Sequence, residues 1–401
     1  MAPVLRLLTP ARLGPIELRN RVVKAATYET RTRGGLVTDE LIAWHREFAA
    51  GGVAMTTLAY CAVSADGRSI PNQIWLSEAA QPGLARFCAA MHAEGAAAAI
   101  QLGHAGRYAN RRVTGSQPIG PNRAYSWQTS TWSQPADEAT LARLVADHAR
   151  AAARAVDVGF DALEVHVATG YLLSQFLSPW SNRRTDRWGG SLENRARLTR
   201  EVLRAVREAA GTRAAVYVKF NMEDGFARGL SASDALAVAR LLEADGTVDA
   251  FQLTGGHMTK EPLYHMRGDN VLPTILARDP RRLRRMVLPL LTRFIYRDWA
   301  FQEAFFESAA RRFLDGLRTP LMLLGGVNRL ETIEHALADG YQFVALARAL
   351  IRRPDLVRAY ADGIATDAGC THCNLCLLPV GREPTACPLR EPPVAAEGIA
   401  G

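Results

Sequence analysis

The chain has 401 residues, of which 48% are hydrophobic, 22% charged and 7% aromatic, with a formal net charge of +8. That length allows two or three domains or one large α/β barrel, and the composition excludes wholesale disorder. Only three lysines occur, Lys24, Lys219 and Lys260, against 45 arginines scattered along the chain, so a basic face for nucleic acid is not expected.

No apolar run reaches the roughly 18 residues of a membrane span. The N-terminal MAPVLRLLTPARLG lacks the charged-then-apolar design of a signal peptide. A cytoplasmic protein without membrane attachment is the expectation. Six cysteines are too few for a disulfide scaffold, and Cys61 and Cys88 read as inert core thiols.

In chain order, short β-prone runs alternate with amphipathic stretches. A strand at Val22–Ala26 precedes a helix at Asp39–Ala50, then Val53–Ala59 precedes Glu78–Glu94, and Ala97–Leu102 precedes Glu138–Val158. Next come Ala162–Val167 with Leu192–Ala209, Val216–Phe220 with Ala232–Ala244, and Asp249–Leu253 with a helical stretch near Phe301–Leu317. Leu321–Leu324 with Leu330–Ala338, and Phe343–Leu346 with Leu350–Ala361, complete the series. Eight strand–helix units in strict alternation predict a (β/α)8 TIM barrel with long βα loops. Residues 1–365 are assigned to the barrel and 366–401 to a cysteine-bearing tail that is not an independent domain. Asp39 and Ser231 are expected to cap the first and fifth helices, and Gly340 to end the seventh.

Two connections are too long for simple turns. Residues 103–137 are rich in Gly, Pro, Ser and Trp; residues 257–319 carry a basic run, Arg281 to Arg285, and an aromatic run, Phe294 to Phe306. Lids and extra helices packed outside the barrel both fit them.

Chemistry in this fold belongs at the C-terminal ends of the strands. Gln101, His166 and Lys219 each end an apolar strand, and Lys24 lies near the end of the first. Taken singly, each reads equally well as a satisfied polar core residue. Together, an amide, an imidazole and a cation at neighbouring strand ends point to a polar ligand. Gly325-Gly326 after the seventh strand and Ala347-Arg348 after the eighth suit a phosphate at the barrel mouth. Neither a Gly-x-Gly-x-x-Gly fingerprint after a strand nor a Gly-x-x-x-x-Gly-Lys-[Ser/Thr] loop is present.

At the fourth strand, EVHVATGYLLSQFLSPWSNRRTDRWGGSLENRAR (164–197) closely resembles the signature of the old yellow enzyme family, the FMN-dependent NAD(P)H:flavin oxidoreductases. RNRVVKAATYETR (19–31), QLGHAGR (101–107), GGV (325–327) and ALARALIRRPDL (345–356) match its other blocks in order. The resemblance implies FMN at the barrel mouth and NAD(P)H as transient reductant. Gln101 would bond the pyrimidine edge and Lys219 would sit near N1/O2, where a cation stabilises reduced flavin. Ala25, Ala26 and Tyr28 would lie along the flavin, and Gly325, Gly326, Ala347 and Arg348 would hold its phosphate. His166 and Thr169 would donate to a substrate acceptor, and Tyr171 would deliver a proton as general acid. Three positions depart from the family pattern: Thr169 stands for Asn or His, Tyr28 for Thr, Cys or His, and Ala347 for Gly.

The implied activity is hydride transfer from NAD(P)H to an activated alkene or similar electrophile, such as an enone, nitro compound or quinone. The partner is a small molecule, and a homo-oligomer is compatible with this reading. Cys370-x2-Cys373-x2-Cys376-x10-Cys387 has the look of a site for zinc or a 4Fe–4S cluster, or of reduced thiols that help the tail fold back. Some larger members of the family carry such a cluster after the barrel, at slightly longer cysteine spacing. Two alternatives follow: a flavin dehydrogenase or demethylase passing electrons to a tail cluster, and a flavin-free lyase or aldolase using Lys219 as a Schiff-base amine.

Overall fold

Eight parallel strands close into a barrel: Val22–Thr27, Met55–Ala62, Ala97–Gly103, Ala162–Val167, Ala215–Asn221, Ala250–Thr254, Leu321–Leu324 and Phe343–Leu346. They pair in chain order, and the eighth closes on the first through Val344 and Val22. This computed structural model describes residues 4–279, 282, 283, 285–287, 290, 296–379 and 382–390. All eight predicted strands are present, with ends displaced by a few residues.

Alanine-rich strands make a barrel because small and large side chains share its interior. Ala25, Ala99, Ala162, Ala215, Ala250 and Ala345 pack there against Met55, Tyr217, Met322 and Phe343. An antiparallel hairpin, Ala11–Leu13 with Ile16–Leu18, joins this cluster through Leu13 and Leu18. Outside, the helices present apolar stripes at three- and four-residue spacing. Glu138–Asp157 buries Leu141, Leu144, His148, Ala151, Ala152 and Ala155, and Leu192–Ala210 buries Leu198, Val202 and Val206.

Local chemistry corrects several predicted boundaries. Thr38, not Asp39, caps the first helix, its hydroxyl accepting from the Leu41 N–H at 3.1 Å. Asp39 instead begins the helix, where its charge complements the dipole. Ser231 and Gly340 act as expected, Gly340 with φ of 115°. The eighth helix is broken into Arg348–Arg352 and Leu356–Ala361, because Pro354 between them has no N–H to donate. The sixth runs only from Glu307 to Gly316. The aromatic residues before it pack against the turn after the seventh strand: a Cβ on Gly325 would lie 2.6 Å from the Phe306 ring, and one on Gly326 2.6 Å from Phe305.

The first long connection forms a short helix, Arg111–Thr114, and a small sheet of Ile119–Gly120, Ala124–Ser126 and Thr131–Pro135. In the second, Arg282 and Arg285 are exposed, while Arg281, Arg284 and Phe294 lie outside the described residues. Among the described residues, no helix is long and apolar enough to cross a membrane.

Lys24 does not face the barrel mouth. It is fully buried, with its ammonium paired to Glu29 and donating to Thr27 Oγ1 at 2.9 Å. Thr27 Oγ1 also donates to Glu29 at 2.6 Å, and His45 Nε2 lies 3.7 Å from the same oxygen. Burial alone would push Glu29 up, but Lys24 and His45 outweigh it and hold the carboxyl at about 2. Removing one member of such a pair leaves a buried charge uncompensated, at a cost of about 3–5 kcal/mol. Glu29→Gln is therefore expected to destabilise the fold by about that much in urea titration at pH 7, while Lys24→Met with Glu29→Leu recovers most of it. The depressed carboxyl sets the pH window: its contribution is complete above the ordinary carboxylate range and is lost as pH falls towards about 2. A Glu29→Gln loss below about 1 kcal/mol would contradict this account.

Candidate active site

The barrel places the C-terminal ends of its strands around one cavity of about 340 Å³. Ala25, Ala26, Tyr28, Gln101, His166, Thr169, Tyr171, Lys219, Gly325, Gly326, Ala347 and Arg348 all line it. Every side chain singled out from the sequence as a flavin or substrate contact is thus brought together. None of the lining residues is Asp or Glu.

Strand register explains the inner end. Gln101 lies opposite Glu164 on the third and fourth strands, and Lys219 opposite His166 on the fifth and fourth. The Glu164 carboxylate is fully buried; Oε1 accepts from the Gln101 amide and lies 3.8 Å from Lys219 Nζ. Gln101 is thereby oriented, while Lys219 is only loosely paired. Sequence reading missed Glu164, although it stands two residues before His166 and so on the same strand face.

His166 is buried, with Nε2 3.3 Å from the Thr169 hydroxyl and Nδ1 without a partner. Burial first, then Lys219 and His265, drive its pKa down to about 3, so the imidazole is neutral at neutral pH. Thr169 and Gly170 adopt left-handed conformations, φ 52° and 88°. A Cβ on Gly170 would lie 2.6 Å from His257 Nε2, which makes glycine obligatory there. Met258 N donates to the Thr169 carbonyl at 3.1 Å and ties this turn to the loop after the sixth strand.

Tyr171 stacks on Tyr60, with centroids 5.1 Å apart and planes at 19°, and meets His166 edge-on at 5.1 Å. Burial raises its phenol above the ordinary value, so it stays protonated. Tyr60, which the sequence reading passed over, also lines the cavity. Tyr28 is half-buried, its hydroxyl 3.4 Å from the Pro71 carbonyl. The tail crosses above it, with Thr385 N donating to the Glu29 carbonyl at 2.9 Å and Thr385 Oγ1 to the Tyr28 carbonyl at 3.3 Å.

At the other end, Gly325 and Gly326 turn with φ of 118° and 74°. Ala347 has φ −122° and ψ −85°, so this backbone does not need the family's glycine. Arg348 donates to the Arg267 carbonyl at 2.9 Å and to Asn374 Oδ1. Asn374, left-handed at φ 57°, donates in turn to the carbonyls of Met266 at 2.8 Å and Asp269 at 3.0 Å. His372 stacks on Phe301 at 3.6 Å and also lines the cavity. Asn374 and His372 lie within the cysteine motif, where only the cysteines stand out in sequence.

All six cysteines are free thiols. Cys61 and Cys88 are buried and their thiols pushed up by that burial, as inert core residues should be. Cys370, Cys373, Cys376 and Cys387 line one small cavity beside Arg348, and Cys376 also lines the large one. Burial pushes the Cys376 thiol up to about 11. Among the described residues, no three His, Cys, Asp or Glu side chains converge as a metal site.

The sequence pattern of the NADH:flavin oxidoreductase / NADH oxidase family matches residues 6–257. Similarity also extends over nearly the full chain to the 4,4'-dithiodibutanoate disulfide reductase of Rhodococcus erythropolis, 46% identical over 396 residues, 99% of this chain and 98% of that protein. Among solved structures, 2-naphthoyl-CoA reductase in complex with 2-naphthoyl-CoA superposes with a TM-score of 0.82 at 25% identity, over 96% of this chain and 56% of its own. Morphinone reductase in complex with tetrahydroNAD gives 0.68 at 25% identity, over 90% and 92%. This excludes the flavin-free lyase alternative, and the chain belongs to the NADH:flavin oxidoreductase / NADH oxidase family of FMN-dependent NAD(P)H oxidoreductases.

Proposed function

We propose that FMN lies along the large cavity and that a small electrophile is reduced beside His166, Thr169 and Tyr171. The observation that carries this is the meeting, in one cavity without a lining carboxylate, of an amide and a cation at one end and a Gly-Gly turn with an arginine at the other. That donor set fits FMN. Gln101 and Lys219 would hold the pyrimidine edge, Gly325, Gly326, Ala347 and Arg348 the phosphate, and Ala25, Ala26 and Tyr28 would flank the ring. Bound there, FMN would supply the hydride-transfer chemistry that links NAD(P)H to the acceptor.

The protein's own groups do the rest. Neutral His166 donates one N–H, and Thr169 one hydroxyl, to the acceptor atom that gains charge. Tyr171, held by stacking on Tyr60, delivers the proton. An activated alkene such as an enone, a nitro compound or a quinone suits these donors. The full-length similarity to a disulfide reductase favours an organic disulfide as well. In that case one hydride and one proton convert the S–S bond into two thiols. Mixing anaerobically reduced protein with an enone, a quinone, a nitroarene and 4,4'-dithiodibutanoate tests the reading. At least one should reoxidise the flavin far faster than dioxygen does; reoxidation by dioxygen alone would contradict it.

A second reading is favoured by the four tail cysteines in one cavity: the tail holds zinc or an iron–sulfur cluster, in the latter case as an electron acceptor for a flavin dehydrogenase. Their chemistry suits either metal, although they do not converge here, and no step is derived through one. Iron, zinc and acid-labile sulfide analysis of protein purified without oxygen decides it.

Three outcomes test the residue roles. Asn374→Ala, which unpins Arg348, is expected to weaken FMN about tenfold in apoprotein titrations followed by flavin fluorescence; unchanged affinity would separate Arg348 from the phosphate. Tyr171→Phe should slow acceptor reduction about 100-fold or more in stopped flow, while flavin reduction by NAD(P)H changes little. Neither His166, at about 3, nor the raised Tyr171 titrates between neutrality and moderate alkalinity, so the acceptor half-reaction should be flat there. Equal losses in both half-reactions would remove Tyr171 as proton donor.

A further inference from the structure

Several polar groups of the large cavity remain without a role in this reading, among them Asn328, His372 and His265, and His265 is the one beside the reacting end. His265 belongs to the long connection after the sixth strand and lines the cavity, and its Nδ1 is buried with no hydrogen-bond partner. Burial, Lys219 and Arg348, in that order, hold it neutral at about 4. It is close enough to bear on His166 and His257 electrostatically as well. His265 therefore shares the cavity with His166 and with both cations, Lys219 and Arg348.

A buried polar atom without a partner is costly unless a ligand satisfies it. FMN has its own candidates for its negative positions, Lys219 at the pyrimidine edge and Arg348 at the phosphate. A further donor, in a cavity with no lining carboxylate to repel an anion, suits a second negative group. A neutral acceptor offers that donor only the weaker, uncharged hydrogen bond. A carboxylate gains twice, by accepting the imidazole N–H and by favouring protonation of the ring it meets.

We propose that His265 forms an anion subsite that binds a carboxylate of the acceptor, so that the preferred substrate is an electrophile carrying an acid group. The proposal rests on the acceptor reading above and deepens it. His265 is a specificity residue: it takes no part in hydride or proton transfer.

The test compares 4,4'-dithiodibutanoate with its dimethyl ester in steady-state kinetics of the holoenzyme. His265→Leu should raise the ratio of KM for the dianion to KM for the ester by about tenfold to a hundredfold, the range for a lost charge-assisted hydrogen bond. His265→Gln, which keeps an N–H donor, should restore part of that ratio. An unchanged ratio would overturn the proposal. So would a comparable loss of FMN affinity in His265→Leu, which would assign the imidazole to the cofactor. If wild-type protein reduces neither disulfide, the disulfide reading fails and the subsite is read by binding. Butanoate and butanamide are then titrated into the holoenzyme and followed by the flavin absorbance. Tighter acid binding that His265→Leu abolishes supports the subsite, and equal binding of acid and amide overturns it.

Discussion

A cation inside a β-barrel must find a negative partner, and the two barrel lysines meet that requirement differently. Lys24 is closed in completely: Glu29 neutralises it, Thr27 bonds both partners, and His45 stands behind the carboxylate. Among the described residues Lys219 has only Glu164, at 3.8 Å, and that carboxylate is already bonded to Gln101. One cation is consumed by the fold, and the other keeps attraction to spare for a ligand. Lys260, the third, is exposed, with its ammonium 5.1 Å from the Trp180 ring.

The remaining architecture serves the loosely held cation. Parallel register sets Gln101 and Lys219 on either side of Glu164, so amide and ammonium reach the cavity from a shared anchor. The left-handed turn at Thr169-Gly170 then carries Tyr171 over His166 and onto Tyr60. At the far end the aromatic residues before the sixth helix leave room for nothing larger than glycine at 325 and 326. The tail completes the site: Asn374 pins Arg348, and Thr385 crosses the end of the first strand.

Much of this was legible in the sequence, for physical reasons. Alternation of strand and helix predicts the barrel, and the strand-end rule picks out Gln101, His166 and Lys219 without any structure. The same rule could not separate Lys24 from Lys219. Register shifts between Lys24 and Thr27 on the first strand, and the acid that pairs with Lys24 lies five residues further on. Glu164 was recoverable from the two-residue strand period alone. His265 and Asn374 were not, because they sit in a long connection and a tail without periodicity. The broken eighth helix was signalled by Pro354, whereas the late start of the sixth depends on aromatic packing that no helical pattern shows.

The role proposed for Lys219 is that of the cation left available to stabilise charge on reduced flavin. The midpoint potential of the bound flavin in Lys219→Met, measured spectroelectrochemically beside the unsubstituted protein, tests it directly. Removing a nearby positive charge should make the potential more negative, by on the order of tens of millivolts. A potential that does not move, in a variant that still binds FMN, would contradict the account.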